Sequence, residues 1–148
     1  MGRLDRKEWI VKFMILTYGS QQDYDELSGK PGGRLAWSHE DFVAMAKFMS
    51  QFASDPQESG ELVETRGLSA PVHSRRVQLR EGVPVVTDGP YAESQEVLAG
   101  YWIVECHSFD RATEIAARLS SCPAPEHVRA RAYADVRPID EHVPDQEG

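Results

Sequence analysis

An α+β fold, with two helices packed on one face of an antiparallel sheet, is predicted by three observations on the sequence. Short apolar or alternating runs typical of strands recur along the chain, two segments carry apolar residues at helical spacing, and turn residues separate these elements. The chain has 148 residues, which suits one domain with a proper core. We expect a single domain over residues 10–140, with flexible termini at 1–9 and 141–148.

The N-terminal part of the chain predicts a strand followed by a loop. Ile10–Tyr18 is a bulky apolar run bounded by Gly19, as is typical of a buried strand. The polar, glycine-rich segment Gly19–Trp37 follows, and we expect a mobile loop there. Its Gly29–Gly33 centre lacks the spacing of a phosphate-binding loop.

The next segment predicts an amphipathic helix over Ser38–Ser54. Ser38 is a candidate N-cap and Asp41 a weak capping-box partner. Asp55-Pro56 is expected to end the helix. Its apolar stripe, which we assign to the core, consists of Phe42, Met45, Ala46, Met49, Phe52 and Ala53.

In the middle of the chain, apolar and polar residues alternate at a shorter period than in a helix, which indicates strands. Glu61–Leu68 alternates loosely, and residues 76–80 alternate as a half-exposed strand does. Glu81-Gly82 predicts a tight hairpin turn from which Val83–Thr87 returns. Gly100–His107 is the next predicted strand.

The C-terminal part predicts a second helix and a last strand. Ser108 or Asp110 can cap the helix, and Cys122–Pro125 stops it. His127–Ile139 alternates small apolar with polar residues, which predicts a strand. The buried stripe of the helix is expected to be Ala112, Ile115, Ala116 and Leu119.

This order of elements is that of a ferredoxin-like fold, βαββ(β)βαβ, with an extra hairpin strand between its two halves. Both helices must cover one sheet face to bury their stripes, so the other face has no cover within the chain. Tyr101 and Ile103 alternate with Trp102, Val104 and Cys106, so both faces carry apolar residues. We therefore expect a homodimer with its sheets face to face.

Composition restricts the partners and the compartment. The 16 basic and 24 acidic residues give a net charge of −8, which argues against general nucleic-acid binding. Cys106 and Cys122 are expected to be reduced thiols. No apolar run is long enough to span a membrane and no signal sequence is evident, so we expect a cytoplasmic protein without membrane association.

Five sequence blocks stand out as a set: Gly60–Leu62, Gly67-Leu68, Val86–Glu93, Gly100–Glu105 and Asp135–Pro138. The most specific is the Asp-Gly-Pro-aromatic-Ala-Glu block, which is followed by a glycine and a strand. Together the blocks resemble the DGPF group of the YCII-related domain family. The resemblance covers most of the chain from Val11 to Ile139.

The resemblance implies a dimeric ferredoxin-like α/β barrel. The superfamily includes muconolactone isomerases and other small-molecule enzymes, and some relatives resemble accessory partners of sigma factors. This chain has Tyr91 where the family commonly has Phe, and Gln95 where it commonly has Lys. A His–Asp pair has been proposed as catalytic in the wider family, and its His matches no position here.

Two carboxylates are candidate catalytic residues. Asp88 precedes Gly-Pro; it either accepts backbone N–H groups and holds the turn, which is the favoured interpretation, or acts as an acid or base. Glu105 shares a strand face with Tyr101, and a carboxylate between two sheets can serve as a general base. An ion pair between Glu105 and Arg137 is the alternative. Glu93 is a loop carboxylate that could rim the cleft.

A small anionic ligand is expected in the cleft between the sheets. Arg66 and Arg137 could bind its charge, and Tyr18, Tyr91 and Trp102 could form apolar walls, although the core is favoured for Trp102. His107 lies two residues from Glu105, about 7 Å along a strand. A proton relay between them is conceivable, but a solvent-facing strand end is favoured. We expect no metal site and no cofactor.

Two functions remain open on these residues. In the first, the chain is a module without turnover that binds either a ligand or another protein. In the second, it is a small-molecule isomerase or lyase that uses carboxylate acid/base chemistry. An accessory role beside a sigma factor comes from the resemblance alone. The sequence favours the binding module slightly, because no catalytic histidine can be placed.

Overall fold

A four-stranded antiparallel sheet forms the centre of the fold, in a computed structural model that describes residues 11–28, 37–58, 60–89, 91–92 and 94–141. Its strand order is β2-β5-β1-β6, which confirms the α+β, ferredoxin-like prediction. In chain order the elements are β1 (Val11–Gly19), α1 (Gln21–Leu27), α2 (His39–Glu58), β2 (Leu62–Gly67), β3 (Arg75–Arg80), β4 (Val83–Asp88), β5 (Val97–Cys106), α3 (Phe109–Leu119), α4 (Glu126–Arg129) and β6 (Ala134–Pro138).

The core lies between one face of this sheet and helices α2 and α3. Alternate side chains of the two central strands point into it, because successive strand residues face opposite sides. Phe52 of α2 packs edge-on against Trp102 of β5, with ring centroids 4.8 Å apart. The buried apolar cluster consists of Phe13, Ile15, Phe52, Trp102, Val104, Cys106, Ala112, Ile115, Ala116 and Leu119.

The predicted helix caps are confirmed. The Asp41 N–H donates to Ser38 Oγ (3.1 Å), and the Ser38 N–H donates to Asp41 Oδ2 (2.8 Å). At α3 the Arg111 N–H donates to Ser108 Oγ (3.0 Å), so Ser108 is the cap. The predicted end of α2 is wrong, because the helix continues through Pro56 to Glu58. A proline removes a single backbone donor, and here that loss does not prevent a last turn.

A short helix occupies part of the segment predicted as a loop. Ser20 and Asp23 form a reciprocal capping box that starts α1, with the Ser20 N–H 2.9 Å from Asp23 Oδ2. The Tyr24 hydroxyl donates to the Leu68 carbonyl (2.8 Å), which attaches α1 to the end of β2. The loop prediction is therefore wrong for 21–27; the glycine-rich centre lies outside the described residues.

The last predicted strand is also only partly correct. The chain forms the short helix α4 where the strand was expected to begin, and β6 starts only at Ala134. The Val128 and Arg129 N–H groups both donate to the Pro125 carbonyl (2.9 and 3.0 Å), which starts this turn. Alternating small residues suit a helix as well as a strand, so the period of two was misleading here.

The inserted strands β3 and β4 form a separate two-stranded sheet, residues 75–88, called the ribbon below. They turn at Glu81-Gly82, where both residues have positive φ (53° and 80°), as a tight hairpin requires. All twelve strand residues are exposed. The expectation of a half-exposed strand is thus wrong, because the ribbon packs on neither the sheet nor the helices.

The sheet face opposite the helices has no cover within the described residues; we call it the open face. Register places Met14 of β1 between Ile103 of β5 and Arg137 of β6. The open face consists of Lys12, Met14, Leu16, Tyr18, Glu64, Arg66, Tyr101, Ile103, Glu105, Asp135 and Arg137. Within the described residues, no helix combines the length and apolarity that crossing a bilayer would need.

Candidate functional site

The open face holds Glu105, Arg66, Arg137 and Tyr18 of the residues that the sequence suggested for a site, and His107 lies just beyond it. Glu105 is exposed and lies opposite Lys12 in the register. Its carboxylate makes no hydrogen bond or ion pair with a described residue, so the alternative of a Glu105–Arg137 pair is not realised there. Arg66 and Arg137 are exposed on outer strands, and exposed His107 follows the end of β5.

A tyrosine–carboxylate pair also lies on the open face. The Tyr101 hydroxyl donates to Glu64 Oε2 over 2.5 Å, and register places Arg66 beside Tyr101. This hydrogen bond, with a smaller effect of burial, raises the pKa of Tyr101. The phenol is therefore a hydrogen-bond donor at neutral pH and not a ready base.

The turn block that contains Asp88 is not part of the main sheet; Asp88 is the last residue of β4. Asp88 Oδ1 accepts a hydrogen bond from Arg75 Nε (2.9 Å), and both side chains are exposed. No described residue donates a backbone N–H to Asp88, so the favoured interpretation is not realised among these residues. In the sequence, the residue two positions on is Pro90, which has no N–H to donate. Asp88 instead joins the two strands of the ribbon.

The predicted aromatic walls separate in the structure. Trp102 is buried in the core on the helix side of β5, which is the interpretation that the sequence favoured. Tyr91 lies under the guanidinium of Arg76, whose Cζ is 4.8 Å from the ring centroid. Glu93 lies outside the described residues. Tyr18 borders a cavity.

Three adjoining cavities surround the end of β1, and we call them together the β1-end groove. The first has a volume of about 200 Å³ and is lined by Tyr18, Trp37, Val128, Arg129 and Tyr133, among others. The second, also about 200 Å³, shares Tyr18, Trp37 and Val128 with the first. The third, of about 320 Å³, is polar and shares Arg131 with the first. Strand ends, α1, α4 and the segment before α4 build this groove.

The wall of the groove is aromatic. Tyr18 and Tyr133 are stacked with centroids 5.2 Å apart. The Tyr18 hydroxyl donates to Asp135 Oδ2 (2.8 Å), and this bond is the main reason that the pKa of Tyr18 is raised. The Tyr133 hydroxyl donates to Glu96 Oε1 (3.3 Å). Both phenols are therefore neutral at physiological pH and present flat faces.

Two arginines supply the positive charge of the groove. Arg131 is paired with Asp23 and also donates to the His127 carbonyl (3.3 Å). Arg129 is exposed at the groove and makes no hydrogen bond or ion pair with a described residue. Its guanidinium is therefore available to a carboxylate or phosphate, which it can bind through two parallel N–H groups.

The groove also contains the thiol of Cys122. Burial raises the pKa of Cys122, so the sulfur stays protonated near neutral pH. Both cysteines are free, as the sequence predicted. In the described part of the chain, no group of three or more His, Cys, Asp or Glu side chains is placed to hold a metal ion.

A buried carboxylate is paired with a partly exposed histidine beside the groove. Glu26 of α1 is almost fully buried, and His127 Nε2 of α4 lies 2.9 Å from its Oε1. Gln22 Nε2 donates to the other carboxylate oxygen over 3.4 Å. Together with the Asp23–Arg131 pair, this contact joins α1 to α4 and the residues after it.

Sequence reasoning missed most of this groove. No sequence pattern indicates the pair of His127 and Glu26, which are 101 positions apart. The predicted strand His127–Ile139 would place Arg129 and Arg131 on one strand face, whereas the chain forms α4 over Glu126–Arg129. The Ser-x-x-Asp pattern at Ser20 was the one signal that could have revealed α1.

Comparison with known proteins agrees with this fold. The model of the YCII-related domain family matches residues 11–137. The chain is also 29% identical, over 104 residues, to an uncharacterised protein of Rhizobium meliloti (strain 1021). That alignment covers 70% of this chain and 84% of the relative.

Proposed function

Because the chain belongs to the YCII-related domain family, we propose that it is a small-molecule-binding domain whose ligand is a small anionic compound with a flat apolar part. The β1-end groove is the proposed site. One observation carries the proposal: Arg129, unpaired among the described residues, stands beside the stacked rings of Tyr18 and Tyr133. The guanidinium suits an anionic group, and the rings suit a planar one.

Calorimetric titration with three probes tests this proposal. Benzoate and phenyl phosphate should bind, and benzyl alcohol, which lacks the charge, should bind at least about tenfold more weakly. Native mass spectrometry of protein purified from its own cells should show a retained anion. If neither anion binds and no ligand is retained, the proposal fails.

Two arginine variants locate the site. Arg129→Gln should weaken binding of the anionic probes about tenfold or more, because the charge-assisted hydrogen bonds are lost. Arg66→Gln removes an equally charged, exposed guanidinium from the open face and should leave affinity unchanged. The reverse result would place the ligand in the predicted cleft between two sheets.

We also propose that the chain is a homodimer joined through its open face, as in a dimeric α/β barrel. Met14, Leu16 and Ile103 give this face an apolar centre that is only half-buried in the single chain. Lys12, Arg66 and Arg137 alternate there with three carboxylates, so a twofold rotation can bring opposite charges together. Sedimentation equilibrium should give a dimer at micromolar concentration, and Ile103→Asp should give a monomer.

An acid/base enzyme is the second candidate, favoured by the carboxylate of Glu105, which lies opposite Lys12 and has no partner among the described residues. Once a substrate is found, Glu105→Gln should abolish turnover while binding persists. Unchanged turnover would remove Glu105 from any mechanism. The sigma-factor association rests on the resemblance alone, and genes neighbouring this one are its simplest test.

A further inference from the structure

The ribbon presents apolar side chains to solvent along its whole length. Val77, Leu79 and Val86 are 61%, 70% and 55% exposed. An isolated two-stranded ribbon is marginally stable in water, and contiguous exposed apolar patches usually mark interaction surfaces. The ribbon therefore requires a cover that the described chain does not supply.

The two faces of the ribbon differ in chemistry. Cross-strand register places Val77 opposite Val86 and Leu79 opposite Pro84, so these four form one apolar face. That face also carries Arg75 opposite Asp88, an internally neutralised pair. The other face holds Arg76, Gln78 and Arg80 opposite Thr87, Val85 and Val83, so its apolar residues lie beside two cations. Only the first face is both apolar and without net charge.

The ribbon is held at its base. The Gly89 N–H donates to the Ser74 carbonyl (2.9 Å), and the Val72 N–H donates to Gln21 Oε1 of α1 (2.9 Å). Gly89 has φ +51°, and a Cβ there would lie 3.3 Å from the Val72 carbonyl oxygen. The base is thus tied to the domain, while the length of the ribbon projects from it.

The chain connects the ribbon directly to two strands that carry the proposed dimer interface. It is inserted between β2 and β5, which are neighbours in the main sheet and whose outward side chains belong to the open face. Residues 75–88 hold three of the 16 basic residues and two of the 24 acidic residues, so the ribbon itself is slightly positive. The rest of the chain is therefore more negative than the whole chain. A basic projection therefore complements the acidic body of an identical chain.

From this exposure, position and charge we propose that the ribbon is a dimer arm, whose apolar face packs on a second copy of this chain. The inference rests on the proposed homodimer and adds a second contact to it. An apolar face that is always exposed suits a partner that is always present. A second copy of this chain meets that condition, because it is made in the same place. The cationic face then lies at the rim of the interface, where the acidic body of the partner is near.

Sedimentation equilibrium of four proteins tests the arm. The double variant V77D/L79D places two carboxylates on the apolar face and should weaken the dimer about 100-fold or more. Q78D adds a carboxylate to the other face of the same strand and should change the dimer constant less than about tenfold. The wild type and Ile103→Asp complete the set. An unchanged dimer in V77D/L79D would overturn the arm.

The same set separates the two proposals. If Ile103→Asp abolishes the dimer and V77D/L79D does not, the arm fails while the open-face dimer stands. If only V77D/L79D abolishes it, the arm stands and the open-face contact fails. A monomeric wild type ends both.

Hydrogen exchange on the wild-type protein tests the arm without the double variant, which could misfold. Amides of residues 75–88 should be protected at high protein concentration and should exchange faster on dilution. Exchange that is independent of concentration would contradict the arm.

Discussion

Glu26 is a carboxylate almost without access to water, in a helix of only seven residues. Burying a charge is costly unless it is paired and hydrogen-bonded, and His127 and Gln22 supply those partners. At the scale of single residues, this contact and the Asp23–Arg131 pair hold the wall of the groove in place. Their effects on stability are therefore measurable apart from any ligand.

Replacing His127 should destabilise the protein. His127→Ala leaves Glu26 buried without its main partner and should lower the free energy of unfolding by about 2–4 kcal/mol in urea titrations. His107→Ala, which removes an exposed histidine after β5, is the matched control and should change it by less than about 0.5 kcal/mol. Equal effects of the two variants would show that the pair contributes nothing.

Asp23 should make stability depend on pH. Burial raises the pKa of this carboxyl, but hydrogen bonds from the Ser20 N–H, Arg131 and the Ser20 hydroxyl outweigh it, so the pKa is lowered. A lowered pKa gives stability that is present above the unfolded value, about 3.9, and is lost as pH falls through the folded value. Asp23→Asn should therefore cost about 1–2 kcal/mol at pH 7 and progressively less below about pH 4.

Urea titrations of wild type and Asp23→Asn between pH 7 and 2.5 measure this difference. Asp110→Asn, at an exposed carboxylate in the first turn of α3, is the control. A cost for Asp23→Asn that stays constant across the range would contradict the assignment.

Strand β5 is the element on which the fold depends most. It pairs with both β1 and β2, and it contributes Trp102, Val104 and Cys106 to the core. Tyr101, Ile103 and Glu105 of the same strand belong to the open face. Close backbone packing accompanies this central position. A Cβ at Gly100 would lie 2.9 Å from the Arg66 carbonyl oxygen and 3.5 Å from Gly67 Cα.

Adding a methyl group at Gly100 should disturb the sheet. Gly100→Ala forces β2 and β5 apart and should cost about 1–3 kcal/mol of unfolding free energy. Gly67→Ala is a matched control, because Gly67 is the register partner of Gly100 and its Cβ would meet nothing within 4 Å. If the two variants are equally stable, the close approach is not a constraint.

The whole molecule is stabilised by one apolar layer between the sheet and helices α2 and α3. Phe52 connects the two sides, since its ring contacts Trp102 and lies stacked 5.9 Å from Phe48. The remaining surfaces, the open face and the ribbon, contribute little to this layer. Stability of the single chain and its association are therefore separable.

Removing the ring of Phe52 should be severe. Phe52→Ala leaves a cavity beside Trp102 and should lower the free energy of unfolding by about 3–5 kcal/mol, measured by urea titration. Val43→Ala, on the exposed side of the same helix, should change it by less than about 0.5 kcal/mol. A mild effect at Phe52 would mean that the core lies elsewhere.

The sequence by itself predicted the features that depend only on residues near one another in the chain. The alternation of Tyr101 and Ile103 with Trp102 and Val104 predicts two sheet faces, and the caps Ser38 and Ser108 predict two helix starts, because these features follow from local geometry. The order of such elements was enough for the ferredoxin-like fold.

The tertiary structure alone decided which distant residues meet. His127 joins Glu26, Tyr18 stacks on Tyr133, and Arg129 enters the groove, because the chain turns as α4 where alternation suggested a strand. No local period encodes contacts across a hundred residues. Nor does a local period show that Val77 and Leu79 lack a cover, since an alternating strand has the same pattern whether or not its apolar face is packed.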